Sequence, residues 1–176
     1  MPAEIGLCTV LGNGGKWAEA VEAAREILAI RRNLHGSNDP SVAAALHDLA
    51  WTVNATKKFA EAQSLEAEAV VMREKLLGDS HPDVAITLNS LGKLLGSRGE
   101  KEAAEAVLKA VLSVQRNTLV DDNPATLETM GSLAKALQEE GKRTESETMW
   151  RQALALWHKR GEDDKPDRLY ALRGLG

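Results

Sequence analysis

Four of the five prolines in this 176-residue chain fall on one fixed period. Pro40, Pro82, Pro124 and Pro166 stand 42 residues apart (82 − 40, 124 − 82 and 166 − 124), and the fifth is Pro2. Inside a helix, proline removes a hydrogen bond and clashes with the preceding turn. At the first helical position its missing N–H costs nothing. The corners Asp39-Pro40-Ser41-Val42, His81-Pro82-Asp83-Val84 and Asn123-Pro124-Ala125-Thr126 therefore read as the starts of like-built helices, with Asp39 as an N-cap and His81 as a corner residue. A period of this size marks a repeat array.

The same register governs residue size. Cys8, Ala50, Gly92 and Ala134 form one column at the 42-residue spacing, and Ala20, Ala62, Ala104 and Ser146 form a second; every member is small. Small residues at matching points of two helices let their backbones approach closely, as a helical hairpin requires. Gly15, Gly99 and Gly141 share a third column with Lys57, at a turn where a left-handed residue is often needed.

In chain order, a short apolar face (Ile5, Leu7, Val10, Leu11) stops at Gly12-Asn13-Gly14-Gly15, and a helix is expected from about Lys16 to Leu34. Apolar residues at helical spacing then recur in pairs of segments. Leu46, Leu49 and Val53 precede Phe59, Leu65 and Val70; Leu88, Leu91 and Leu95 precede Val107, Leu108 and Leu112; Met130, Leu133 and Leu137 precede Trp150, Leu154 and Trp157. Leu169, Tyr170, Leu172 and Leu175 make a last short face. About nine antiparallel-paired helices and no strand follow. The expected domain plan is one repeat domain over 1–176, with a half-unit at 3–39, repeats at 40–81, 82–123 and 124–165, and a half-unit at 166–176.

Composition narrows the function class. Aromatic content is only 3%, with heavy Ala and Leu use, which suits closely packed helices better than a sandwich of strands. A net charge of −4 gives no basic footprint for nucleic acid. The single cysteine, Cys8, excludes an internal disulfide or a multi-cysteine zinc site and suits a reducing, cytoplasmic setting. The apolar run from Ile5 to Leu11 is too short to span a bilayer, so no membrane insertion is expected.

The columns resemble the tetratricopeptide repeat, whose signature places Leu–Gly/Ala in the first helix and alanines in the second. Here it reads Leu49-Ala50 with Ala62 and Ala69, Leu91-Gly92 with Ala104, and Leu133-Ala134 with Ala153. The 42-residue period, the corner Leu77-Gly78-Asp79-Ser80-His81-Pro82-Asp83 and the run Thr87-Leu88-Asn89-Ser90-Leu91-Gly92 resemble the kinesin light chain subtype. The resemblance implies an all-α, right-handed α-solenoid of antiparallel helix hairpins, whose first helices line a concave groove. The tandem asparagines that hold a peptide backbone in that subtype are replaced by His47-Asp48 and Gly131-Ser132, and only Asn89-Ser90 retains one of them.

Catalytic constellations are weak. His35, His47, His81 and His158 form no i, i+4 metal pair. His47 and Asp48 are helix neighbours, which point about 100° apart and do not face one another. Gly14-Gly15-Lys16-Trp17 lacks the upstream glycine and the hydroxyl of a phosphate loop, and Glu162-Asp163-Asp164 lacks calcium-loop spacing. No catalytic residue, cofactor or metal is expected.

Surface remains. With the small column as a ruler, groove positions are His47, Asp48, Trp51 and Asn54, then Asn89, Ser90, Lys93 and Ser97, then Glu128, Ser132, Lys135 and Gln138. This mixed polar strip with one aromatic suits a protein-interaction scaffold that binds a peptide or partner protein. The rival reading is a structural module, or a piece of a longer array, that forms a homo-oligomer through the apolar faces at its ends.

Overall fold

The computed structural model describes residues 15–119 and 123–160. Among them lie seven helices and no strand: α1 (Trp17–His35), α2 (Pro40–Ala55), α3 (Phe59–Leu77), α4 (Pro82–Ser97), α5 (Lys101–Thr118), α6 (Pro124–Glu139) and α7 (Arg143–Arg160). The two further short helices expected around Ile5–Leu11 and Leu169–Leu175, with their apolar faces, lie outside the described residues.

Each periodic proline within this range opens a helix, and the residue before it caps that helix. Asp39 Oδ1 accepts from Ser41 N at 2.8 Å, His81 Nδ1 from Asp83 N at 3.1 Å, and Asn123 Oδ1 from Ala125 N at 2.9 Å. Three chemically different side chains thus satisfy the same orphan N–H, a contact of about 1 kcal/mol each. The turn column is left-handed throughout: Gly15, Lys57, Gly99 and Gly141 have φ of 75°, 63°, 83° and 85°.

The chain divides after Thr87 into two compact units. In the first, α2 packs on both α1 and α3. Val42, Leu46, Leu49 and Val53 of α2 are buried with Ala20, Ala24 and Leu28 of α1 and Ala62, Ala69 and Val70 of α3. In the second, α6 packs on α5 and α7 around Leu108, Leu112, Leu127, Met130, Leu133, Leu137, Trp150 and Trp157. Burying one such Leu or Met side chain stabilises by about 1.5–3 kcal/mol, so these faces supply most of the driving force.

The small columns are contact points. Ala20, Ala62, Ala104 and Ser146 are all at most 2% exposed, and Ser146 Oγ donates to the Ala134 carbonyl at 2.7 Å, joining one column to the other. A Cβ on Gly92 would lie 2.7 Å from Leu108 Cγ, closer than carbon atoms tolerate.

Arginines at the same 42-residue spacing tie helix ends to corners in the first unit. Arg31 donates to the Ser41 carbonyl at 2.8 Å; Arg73 donates to the Asp83 carbonyl at 2.9 Å and to Thr87 Oγ1. The next member of that column is Gln115, buried at 1% exposure. On exposed faces a second register appears at 36 residues: Arg25–Glu61 and Arg32–Glu68 join α1 to α3, and Lys109–Glu145 and Arg116–Gln152 join α5 to α7.

Candidate functional site

In the first unit the groove positions on α2 are a partly buried polar cluster beside an aromatic pair. His47 does not face Asp48. Its Nδ1 lies 2.7 Å from Glu66 Oε1, which α3 carries at 1% exposure. Burial pushes the Glu66 carboxyl above its usual range, partly offset by the hydrogen bond and charge of His47. With Glu66 ionised, the imidazole N–H is the donor. Burial likewise pushes the Asp48 carboxyl up, against the pull of His47, Arg31 and Arg73. Trp51 is 49% exposed and meets Trp17 edge to face, ring centroids 5.4 Å apart at 66°. Asn54 is half-buried, and its Oδ1 has no protein partner.

In the second unit, Lys93, Ser97, Glu128, Lys135 and Gln138 are exposed and Ser90 and Ser132 half-buried. Asn89 differs: at 4% exposure it lies inside the unit rather than on a groove surface. A cavity of about 540 Å³ opens between α4 and α6, bordered by Lys93, Ser97, Glu128, Ser132 and Lys135, with Leu108, Leu127, Trp150 and Trp157 at its floor. Lys93 Nζ pairs with Glu128 Oε1 at 2.6 Å, and Lys135 Nζ with Glu139 Oε1 at 3.8 Å. Five of the eight groove positions expected in α4 and α6 thus surround one cavity; Asn89, Ser90 and Gln138 do not line it.

Sequence reasoning missed Glu66 as the partner of His47 and the indoles as a cavity floor. The signal was present in the column through Ala24, Glu66, Leu108 and Trp150, where a lone carboxylate stands among apolar residues. The residues at the matching places on α2, α4 and α6 are His47, Asn89 and Gly131. At two of these places the helices are matched: His47 with Glu66 is a polar pair, whereas Gly131 leaves room for Trp150, whose ring would lie 3.3 Å from an added Cβ.

Among the described residues no three His, Cys, Asp or Glu side chains are placed to hold a metal ion, and no helix is long and apolar enough to cross a membrane.

Comparison with known proteins matches two tetratricopeptide repeat models to the chain, one over residues 3–75 and one twice, over 84–125 and 126–160. The chain belongs to the tetratricopeptide repeat family. Two crystal structures of a Podosopora anserina protein assigned to the kinesin light chains, with nearly identical TPR-like repeats, superimpose closely. A point variant of it gives a TM-score of 0.84 at 26% identity, and the other structure 0.82 at 27%; each match covers 99% of this chain and 82% of that one. BtubC (BKLC) from P. vanneervenii shares the fold, with a TM-score of 0.78 at 20% identity over 88% of this chain and 62% of its own. No curated protein sequence matches the chain. The tetratricopeptide hairpins here are of the kinesin light chain-like subtype. Repeats of this family are generally protein-interaction scaffolds and typically non-catalytic.

Proposed function

We propose that this protein is a non-catalytic scaffold that binds a peptide or a partner protein on the groove faces of its repeats, that of α2 in the first unit and that of α4 and α6 in the second. The observation that carries the reading is the open cavity between α4 and α6, bordered by Lys93, Ser97, Glu128, Ser132 and Lys135. Its volume is within the range of about 300–1,000 Å³ typical of ligand sites. Half-exposed Trp51, held edge-on by Trp17, supplies a second contact point on α2. Aromatic side chains are enriched among residues that dominate binding energy. The helices are formed before any partner arrives, so little ordering entropy opposes association.

The test is affinity capture with mass spectrometry, using the wild-type protein beside Trp51→Ala and Lys93→Glu. Lys93→Glu places a second carboxylate next to Glu128 and removes the ion pair. Partners captured by the wild type are expected to be depleted by both variants, with the helical circular dichroism signal retained. Equal capture by all three proteins would refute the proposal, and loss of helix in either variant would show that its side chain supports the fold.

A further inference from the structure

Trp51, Lys93 and Lys135 share one column at the 42-residue spacing, and Asp48, Ser90 and Ser132 share the column three residues earlier. Residues three apart are neighbours on one helix face, so α2, α4 and α6 each set the two columns side by side. Two of these helices carry a lysine beside a serine. Only α2 carries a tryptophan beside a carboxylate.

In the second unit Lys93 has its own counter-charge, Glu128, at 2.6 Å. The place of Glu128 one repeat earlier is taken by Ile86, an exposed apolar residue (128 − 86 = 42). The Asp48 carboxylate is half-buried, and no hydrogen bond from the described residues reaches it. The cationic and imidazole groups around it bond to other atoms. His47 meets Glu66, Arg31 donates to the Ser41 carbonyl, and Arg73 donates to the Asp83 carbonyl and to Thr87 Oγ1. Burial pushes the Asp48 carboxyl up against the pull of all three. The first unit thus holds a carboxylate that lacks a directly bonded cation. Beside it, Trp51 is half-exposed, with its ring set edge to face against Trp17. An indole attracts a cation over its face, and a carboxylate accepts two parallel N–H groups from a planar guanidinium. Arginine does both, and it is more weakly hydrated than an ammonium, so it loses less than lysine on leaving water.

From this juxtaposition we infer that α2 carries an arginine site, in which a guanidinium of the partner protein lies against Trp51 and bonds the Asp48 carboxylate. This rests on the scaffold reading and names the partner's chemistry at the first unit.

Nuclear magnetic resonance of the nitrogen-15-labelled full-length protein tests it. The probes are a blocked glycine–arginine–glycine tripeptide and two relatives in which citrulline, the uncharged isostere of arginine, or glutamate takes the central place. The indole N–H signals are assigned with Trp17→Phe and Trp51→Phe. The arginine peptide should shift the Trp51 and Trp17 signals saturably and leave those of Trp150 and Trp157 in place. The citrulline peptide should bind at least about tenfold more weakly, the size of one hydrogen bond to a charged group. Asp48→Asn should weaken the arginine peptide by the same factor and leave the citrulline peptide unchanged, a charge-specific loss that altered folding would not produce. Equal affinity for arginine and citrulline, shifts with glutamate in place of arginine, or unchanged arginine affinity in Asp48→Asn would each overturn the site, as would the absence of any shift. Partner capture with Lys93→Glu, a residue outside this site, judges the scaffold reading separately, so the two can fail independently.

Discussion

Lys57 is the one non-glycine among the four left-handed turn residues, at φ 63°. A side chain in that conformation costs about 1–2 kcal/mol, whereas glycine adopts it freely but loses about 0.5–1 kcal/mol through the greater freedom of its unfolded chain. Lys57→Gly should therefore raise the stability by about 0.5 kcal/mol, read as a higher urea midpoint with an unchanged slope. Gly92 is the opposite case, since a Cβ there would lie 2.7 Å from Leu108 Cγ. Gly92→Leu should destabilise by roughly 1–3 kcal/mol or more, because overpacking forces Leu108 off its rotamer or the helices apart. Thermal unfolding of the variant checks it, and an unchanged midpoint would show that the α4–α5 contact is loose. Both positions were legible in the sequence, since the 42-residue columns identify a turn residue and a small contact residue without reference to three dimensions.

Between elements, the two units use carboxylates with opposite signs. Glu105 of α5, buried to 10% side-chain exposure, bonds Lys109 and Lys142, and these cations hold its carboxyl down at about 2. A carboxylate whose pKa is lowered by folding contributes stability above its unfolded value near 4.5, and that contribution is lost as pH falls toward 2. Asp48 of α2 has its carboxyl raised from 3.8 by burial, so its contribution is present below 3.8 and is lost as pH rises through the folded value. Denaturant unfolding over a pH series should show Glu105→Gln losing the acid-side dependence between about 4.5 and 2. Asp48→Asn should instead gain stability over wild type at neutral pH, with the gain vanishing in acid. The reverse order would mean that Lys109 and Lys142 do not hold Glu105 in solution. The exposed pairs at 36-residue spacing are worth only about 0–1 kcal/mol each, so they set helix register more than stability.

At the scale of the whole molecule, a tetratricopeptide scaffold works by presenting helices that are already folded. Binding of a peptide should accordingly change the protein's own far-ultraviolet circular dichroism very little, while tryptophan emission shifts as the floor indoles are covered. Titration of a tryptophan-free peptide from a captured partner into a Trp17→Phe/Trp51→Phe background isolates Trp150 and Trp157, which line the cavity. A large gain in helical signal from this chain would argue for folding on binding instead.

The sequence by itself determined the family, the hairpin spacing, the caps and the turn conformations, because each depends on residues near one another in the chain or repeated at 42. It also placed Lys93, Ser97, Glu128, Ser132 and Lys135 together, since a fixed register carries one helix face onto the next. Only the tertiary structure paired His47 with Glu66, drew Asn89 inside and set Trp150 and Trp157 beneath a glycine-lined opening. Those outcomes depend on how side chains from different helices share volume, and helix spacing alone does not specify which of two neighbours yields the space.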